Sequence, residues 1–166
     1  MQHEITQPGT LLDQHGKLIQ IGWSRQPLLD PNLENAAFYP AMLRPLQALR
    51  IKRWDYYAVF TPQRFFSATI ANLGYAGNIF VYTLDFATGA LHEEGLVIPL
   101  GRGVQLAHIS EKGDSLYEGQ GVKLHFHTLH DRRELFVDWP RFHEGRGIRA
   151  ELTLHTPLAS DSMTIV

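Results

Sequence analysis

Residues 50–60, RIKRWDYYAVF, constrain the fold more than any other part of the chain. Aromatic and β-branched residues run through them without a glycine or proline, which is the composition of a β-strand. With the two-residue period of a strand, Trp54, Tyr56, Ala58 and Phe60 fall on one face. Arg53, Asp55, Tyr57 and Val59 fall on the other. Rings on one side and an Arg/Asp pair on the other predict the wall of a β-structure whose ring side turns to an apolar interior.

The rest of the chain is cut into short runs by 14 glycines and 9 prolines. An Asp13-Gln14-His15-Gly16 turn ahead of an apolar run at 18–23 predicts a hairpin. Residues 31–49 have the one helical flavour, and Pro40 and Pro45 limit it to a short helix or 3₁₀ turns near 35–49. Further strands are predicted at 66–73, 79–86, 92–100, 116–118, 122–129, 134–139 and 148–155. About ten short strands separated by turn residues give an all-β, antiparallel barrel or sandwich. At 166 residues, with no linker or repeat, the chain reads as one domain over 1–166.

The run at 79–86 is apolar on both faces, with Phe80 and Tyr82 on one and Ile79 and Val81 on the other. Such a strand is covered on both sides or faces a cavity. Trp54, Tyr56, Phe60, Phe80 and Tyr82 therefore form one aromatic set expected on a buried face. There they fill the core or line a site for a small apolar ligand.

Charge and composition exclude several function classes. A formal net charge of -2 with scattered Lys and Arg offers no basic stripe to neutralise phosphates, so no nucleic-acid partner is expected. Cysteine is absent, which removes disulfides, thiol nucleophiles and thiolate metal sites. No apolar run approaches the roughly 18 residues of a spanning helix, so no membrane insertion is expected. The first residues, MQHE, lack a basic and then apolar leader, and a cytoplasmic location is the expectation.

Several multi-residue motifs occur in a fixed order along nearly the whole chain. Gly22-Trp23-Ser24-Arg25-Gln26-Pro27-Leu28 with Asn32-Leu33 opens the series. Lys52-Arg53-Trp54-Asp55-Tyr56-Tyr57 and Ala71-Asn72-Leu73-Gly74-Tyr75-Ala76-Gly77 form its centre. Ile98-Pro99-Leu100-Gly101-Arg102-Gly103-Val104 and Asp161-Ser162-Met163 close it. In these the chain resembles a mainly bacterial family catalogued as domain of unknown function 2804. The resemblance implies a lipocalin-like, calycin-type β-fold distantly similar to tocopherol cyclase and the carotenoid hydratases. It implies no catalytic residue. It also implies a second β-rich half beyond the last motif. Residues 163–166, Met-Thr-Ile-Val, read as the start of a strand with an open edge, so a homo-oligomer or a missing C-terminal β-domain is the expected partner.

Candidate chemistry is sparse. Six of the nine histidines lie between His108 and His155. His125 and His127 share a strand face and would need a third ligand from His130, Asp138 or His155 to hold a metal. A hairpin about Asp131-Arg132 would instead set His125 opposite Asp138, Phe126 opposite Val137 and Leu124 opposite Trp139. We therefore read His125 as one half of a cross-strand pair on a polar, solvent-facing side, with no metal and no cofactor. Gly101-Arg102-Gly103 lacks the following helix that phosphate loops use and reads as a turn aiming an arginine at a carboxylate. Asp55, Tyr57 and Tyr75 are the catalytic candidates, acids in the densest motifs that could serve a cavity wall. The functional expectation is a module binding a small apolar ligand. A cyclase- or hydratase-type enzyme acting on a lipid- or isoprenoid-like substrate comes second, and a structural half supporting a C-terminal domain third.

Overall fold

The computed structural model describes residues 3–7, 9–27, 30–156 and 162–165. Leu28, Asp161 and Val166, which belong to the motifs and the open edge above, lie outside the described residues. The strands are β1 (Trp23–Ser24), β2 (Arg53–Phe60), β3 (Arg64–Asn72), β4 (Ala76–Asp85), β5 (Leu91–Pro99), β6 (Gly113–Gly119), β7 (Val122–Thr128), β8 (Arg132–Trp139), β9 (Ile148–His155) and β10 (Thr164–Ile165). β2-β3-β4-β5 and β6-β7-β8-β9 are two antiparallel meanders of four strands, and β1 pairs with β10. The predicted helical region is two 3₁₀ turns, Leu33–Asn35 and Ala41–Leu43, and one turn of helix, α1 (Arg44–Gln47), with Pro45 in its first turn. No helix among the described residues is long and apolar enough to cross a membrane.

The two meanders face each other as a sandwich and are not closed into a barrel. Ile70, Ile79 and Val81 of the first sheet meet Leu124, Phe126 and Val137 of the second, all fully buried. Each such side chain contributes about 1.5–3 kcal/mol by leaving water.

The expected faces are present, but the first sheet is turned the other way. Tyr56, Thr69 and Phe80 are cross-strand neighbours, as are Ala58, Ser67 and Tyr82, so the five aromatics do share one face. That face points outward, with Trp54, Tyr56 and Phe60 exposed by 62%, 45% and 72%. The inner face of β2 carries Arg53, Asp55, Tyr57 and Val59. Half-burial of the charged pair is tolerated because each is bonded: Arg53 donates to the Ala107 carbonyl at 2.8 Å, and Asp55 accepts from the Ser115 hydroxyl. They do not need each other.

The β7–β8 hairpin turns at His130-Asp131, one residue earlier than predicted, with Leu129 N–H donating to Arg132 O at 2.9 Å. Leu124 thus pairs with Val137, Phe126 with Leu135 and His125 with Phe136. The register differs by two residues from the expected one, which preserves every inward and outward assignment but removes the His125–Asp138 pair. Neighbouring β9 explains the choice: Arg132 pairs with His155, and Thr156 N–H ties Asp131 O at 2.8 Å. The C-terminal strand also finds a partner within the chain. Thr164 and Ile165 pair with Ser24 and Trp23, and the Ser162 hydroxyl donates to Arg25 O at 2.6 Å.

Candidate functional site

The sandwich opens at one end into a cleft of about 610 Å³. Its floor comes from inward positions of facing strands: Val59, Phe66 and Thr83 on one sheet and Ile148, Ala150 and Leu152 on the other. Phe142, from the single turn α2 (Phe142–Gly145), closes one wall and is itself buried in the core. The alternation that builds the core thus continues into the cleft, with Ala150 the smallest side chain of its floor.

The rim is polar and carries more positive than negative charge. Arg64 and Arg146 line it against one carboxylate, Asp85, while the guanidinium of bordering Arg149 turns to the outer face of the second sheet, over the Phe136 ring. Arg64 lies 3.5 Å from Asp85, and Arg149 pairs with Glu151 at 2.8 Å. Arg146 makes no ion pair among the described residues. The Thr88 backbone N–H and hydroxyl hold the Asp85 carboxyl below its ordinary value. Two imidazoles complete the rim, His92 of β5 and His143 of α2, with ring centroids 3.4 Å apart. His143 and the next residue, Glu144, both have left-handed backbone, φ 50° and 58°. Such conformations cost non-glycine residues about 1–3 kcal/mol each and are tolerated where the surroundings fix them, often at binding sites.

None of the predicted site residues lines this cleft. Trp54, Tyr56, Phe60, Phe80 and Tyr82 lie on the outer face, where Phe80 and Tyr82 stack at 6.4 Å and the Tyr56 and Tyr82 hydroxyls are 3.3 Å apart. Of the three acid candidates, Asp55 and Tyr57 are neighbours on the inner face of β2, and Tyr75 lies apart in the β3–β4 turn. Asp55 ties the sheets together through Ser115. Tyr57 sits edge-on to Phe126 at 5.0 Å, and burial pushes its hydroxyl pKa up. Tyr75 is exposed, with the Lys52 ammonium 5.9 Å from its ring centre. Gly101 and Gly103 do form a left-handed turn, φ 61° and 80°, but Arg102 is exposed and meets no carboxylate among the described residues.

His125 and His127 are brought together, on the outer face of the second sheet, with a carboxylate that sequence spacing did not suggest. The partner is Asp114 of β6, whose Oδ1 accepts from His125 Nε2 at 2.6 Å and from His127 Nδ1 at 2.8 Å. These two hydrogen bonds, from His125 first, lower the Asp114 pKa. Sequence reasoning also passed over His92 and His143. The signal for His92 was its inward position on a strand; His143 lies in a turn with no period to place it.

No curated protein and no solved structure matches the chain. The family model described as Domain of unknown function (DUF2804) matches residues 2–166, and the chain belongs to that family.

Proposed function

We propose that this protein binds a small apolar ligand with an anionic head in the cleft between its two sheets. The observation that supports this reading is the cleft itself, about 610 Å³ with an apolar floor and two rim arginines, Arg64 and Arg146, to one carboxylate. That volume falls in the range of small-molecule sites, which are mostly apolar with a few polar groups to set orientation. Apolar chain or ring atoms lie against Val59, Phe66, Ala150 and Leu152, and the head meets Arg146, the rim arginine without an ion pair. Native mass spectrometry of the full chain mixed with dodecanoate tests the reading. A retained 1:1 complex is expected; only the free chain at large dodecanoate excess contradicts it.

A second reading, an enzyme protonating or hydrating a lipid- or isoprenoid-like substrate, is favoured by one observation: His92 and His143 border the same cleft. In that role one imidazole acts as the general acid toward a double bond seated on the apolar floor. The discriminating variant is His92→Gln, which abolishes turnover of a bound polyene while leaving its binding in place.

A further inference from the structure

The outer face of the second sheet carries a constellation unrelated to the cleft. Asp114 and His127 are direct cross-strand partners on β6 and β7, and His125 is two residues along from His127 on the same face. A two-residue strand spacing aims both imidazoles the same way, and the adjacent strand supplies the carboxylate at the same level. One ligand atom from each of the three side chains lies within 4.8 Å of the other two.

We propose that Asp114, His125 and His127 form a three-ligand site for a divalent cation of the zinc class. Imidazole and carboxylate donors in this proportion suit zinc, nickel and copper, and disfavour magnesium and calcium, which take all-oxygen sets. The geometry needs only a small adjustment. Metal–ligand bonds of 2.0–2.1 Å in a tetrahedron separate ligand atoms by about 3.3 Å. The Asp114 oxygen now sits 2.6 and 2.8 Å from the two nitrogens, so it must withdraw by about half an ångström. It can do so, because the Asp114 side chain is half exposed and projects from one strand, while the paired ladder holds both histidine backbones. The metal takes the place of the ring protons that the carboxylate now accepts.

Three protein ligands leave a fourth position facing solvent, the pattern of an open zinc site. That position lies in a depression also bordered by Glu134 and Glu151. Glu134 stands directly opposite His127 on β8 and binds Arg132 through Oε1 alone, at 2.7 Å. Each of these carboxylates is paired with an arginine, Glu134 with Arg132 and Glu151 with Arg149, so the charge that meets an arriving cation is that of Asp114. The inference reverses the sequence expectation of no metal: the third ligand is Asp114 on the neighbouring strand, not His130, Asp138 or His155.

Calorimetric titration of Zn²⁺ into the untagged, chelator-stripped full chain tests the site. One Zn²⁺ per chain is expected. Affinity should fall at least tenfold in His125→Gln, His127→Gln and Asp114→Asn, and stay unchanged in the control His155→Gln. A second readout needs no variant. In NMR spectra of the wild-type chain, Zn²⁺ should shift the His125 and His127 imidazole resonances and leave those of His92 and His143 in place. Absence of 1:1 binding overturns the proposal, as does binding that all three variants retain within about twofold, or shifts confined to other histidines.

Discussion

The Ser115 hydroxyl on β6 donates to the Asp55 carboxylate on β2, joining the two sheets of the sandwich through a side chain fully buried on the Ser115 side. The same Ser115 oxygen accepts from Ala107 N–H at 2.9 Å, and Arg53 takes the Ala107 carbonyl. Asp55 therefore has a structural partner for its charge.

Asp55→Ala leaves the Ser115 hydroxyl without its acceptor in a buried setting. We expect a loss of about 1–3 kcal/mol in urea unfolding, with dodecanoate binding unaltered, since Asp55 does not line the cleft. A variant as stable as wild type would show that the tie between sheets is dispensable.

The contrast between Asp55 and Trp54 shows how far the sequence could be read. Period-two alternation grouped the side chains of β2 into the right two sets, because the pleat admits only two faces. Which face looks inward is a tertiary property. It was misjudged because Trp54, Tyr56 and Phe60 are more apolar than Arg53 and Asp55, while the bonds that make the charged face buriable come from Ala107 and Ser115, more than 50 residues away. The β7–β8 register failed for a related reason. The turn is chosen by β9, through Thr156 and the Arg132–His155 pairing, and no local pattern in 122–139 records that. The metal-ligating candidate Asp114 was likewise invisible, being 11 residues from His125 and brought opposite only by the β6–β7 ladder.

Gly74, in the family motif around Asn72, has φ +83°, and a Cβ there would meet Ala48 O at 2.4 Å. The Asn72 side chain fixes the turn by accepting the Gly74 N–H at 2.8 Å. Gly74→Ala should destabilise by more than about 1 kcal/mol, from both the backbone conformation and the close approach to the segment after α1. Thermal unfolding by circular dichroism measures it.

Burial raises the Tyr57 pKa above that of the unfolded chain, so the folded state holds the phenolic proton more tightly. The resulting stabilisation is complete below the ordinary tyrosine value, about 10, and is lost as pH rises through the higher folded-state value. Tyr57→Phe should therefore lose less stability than wild type between about pH 9 and 11. Parallel denaturation curves over that range, with equal slopes against pH, would contradict it.

Arg146, lining the cleft without an ion pair, predicts head-group selectivity. Wild type should bind dodecanoate more tightly than dodecanol by about tenfold or more, the scale of one charge-assisted hydrogen bond. Arg146→Gln should bring the two ligands close to equal, chiefly by weakening the acid. The exposed Arg102→Gln serves as the control and should preserve the difference.

Calorimetric titration of dodecanoate into wild type, Ala150→Phe and Phe60→Ser tests the account most directly, with circular dichroism confirming that each variant is folded. Ala150 is on the floor of the cleft, whereas Phe60 is on the exposed outer face of the other sheet. We predict 1:1 binding that Ala150→Phe strongly weakens by crowding the apolar floor and that Phe60→Ser leaves unchanged. Binding that survives in Ala150→Phe and is lost in Phe60→Ser would place the ligand on the outer aromatic face and contradict the account.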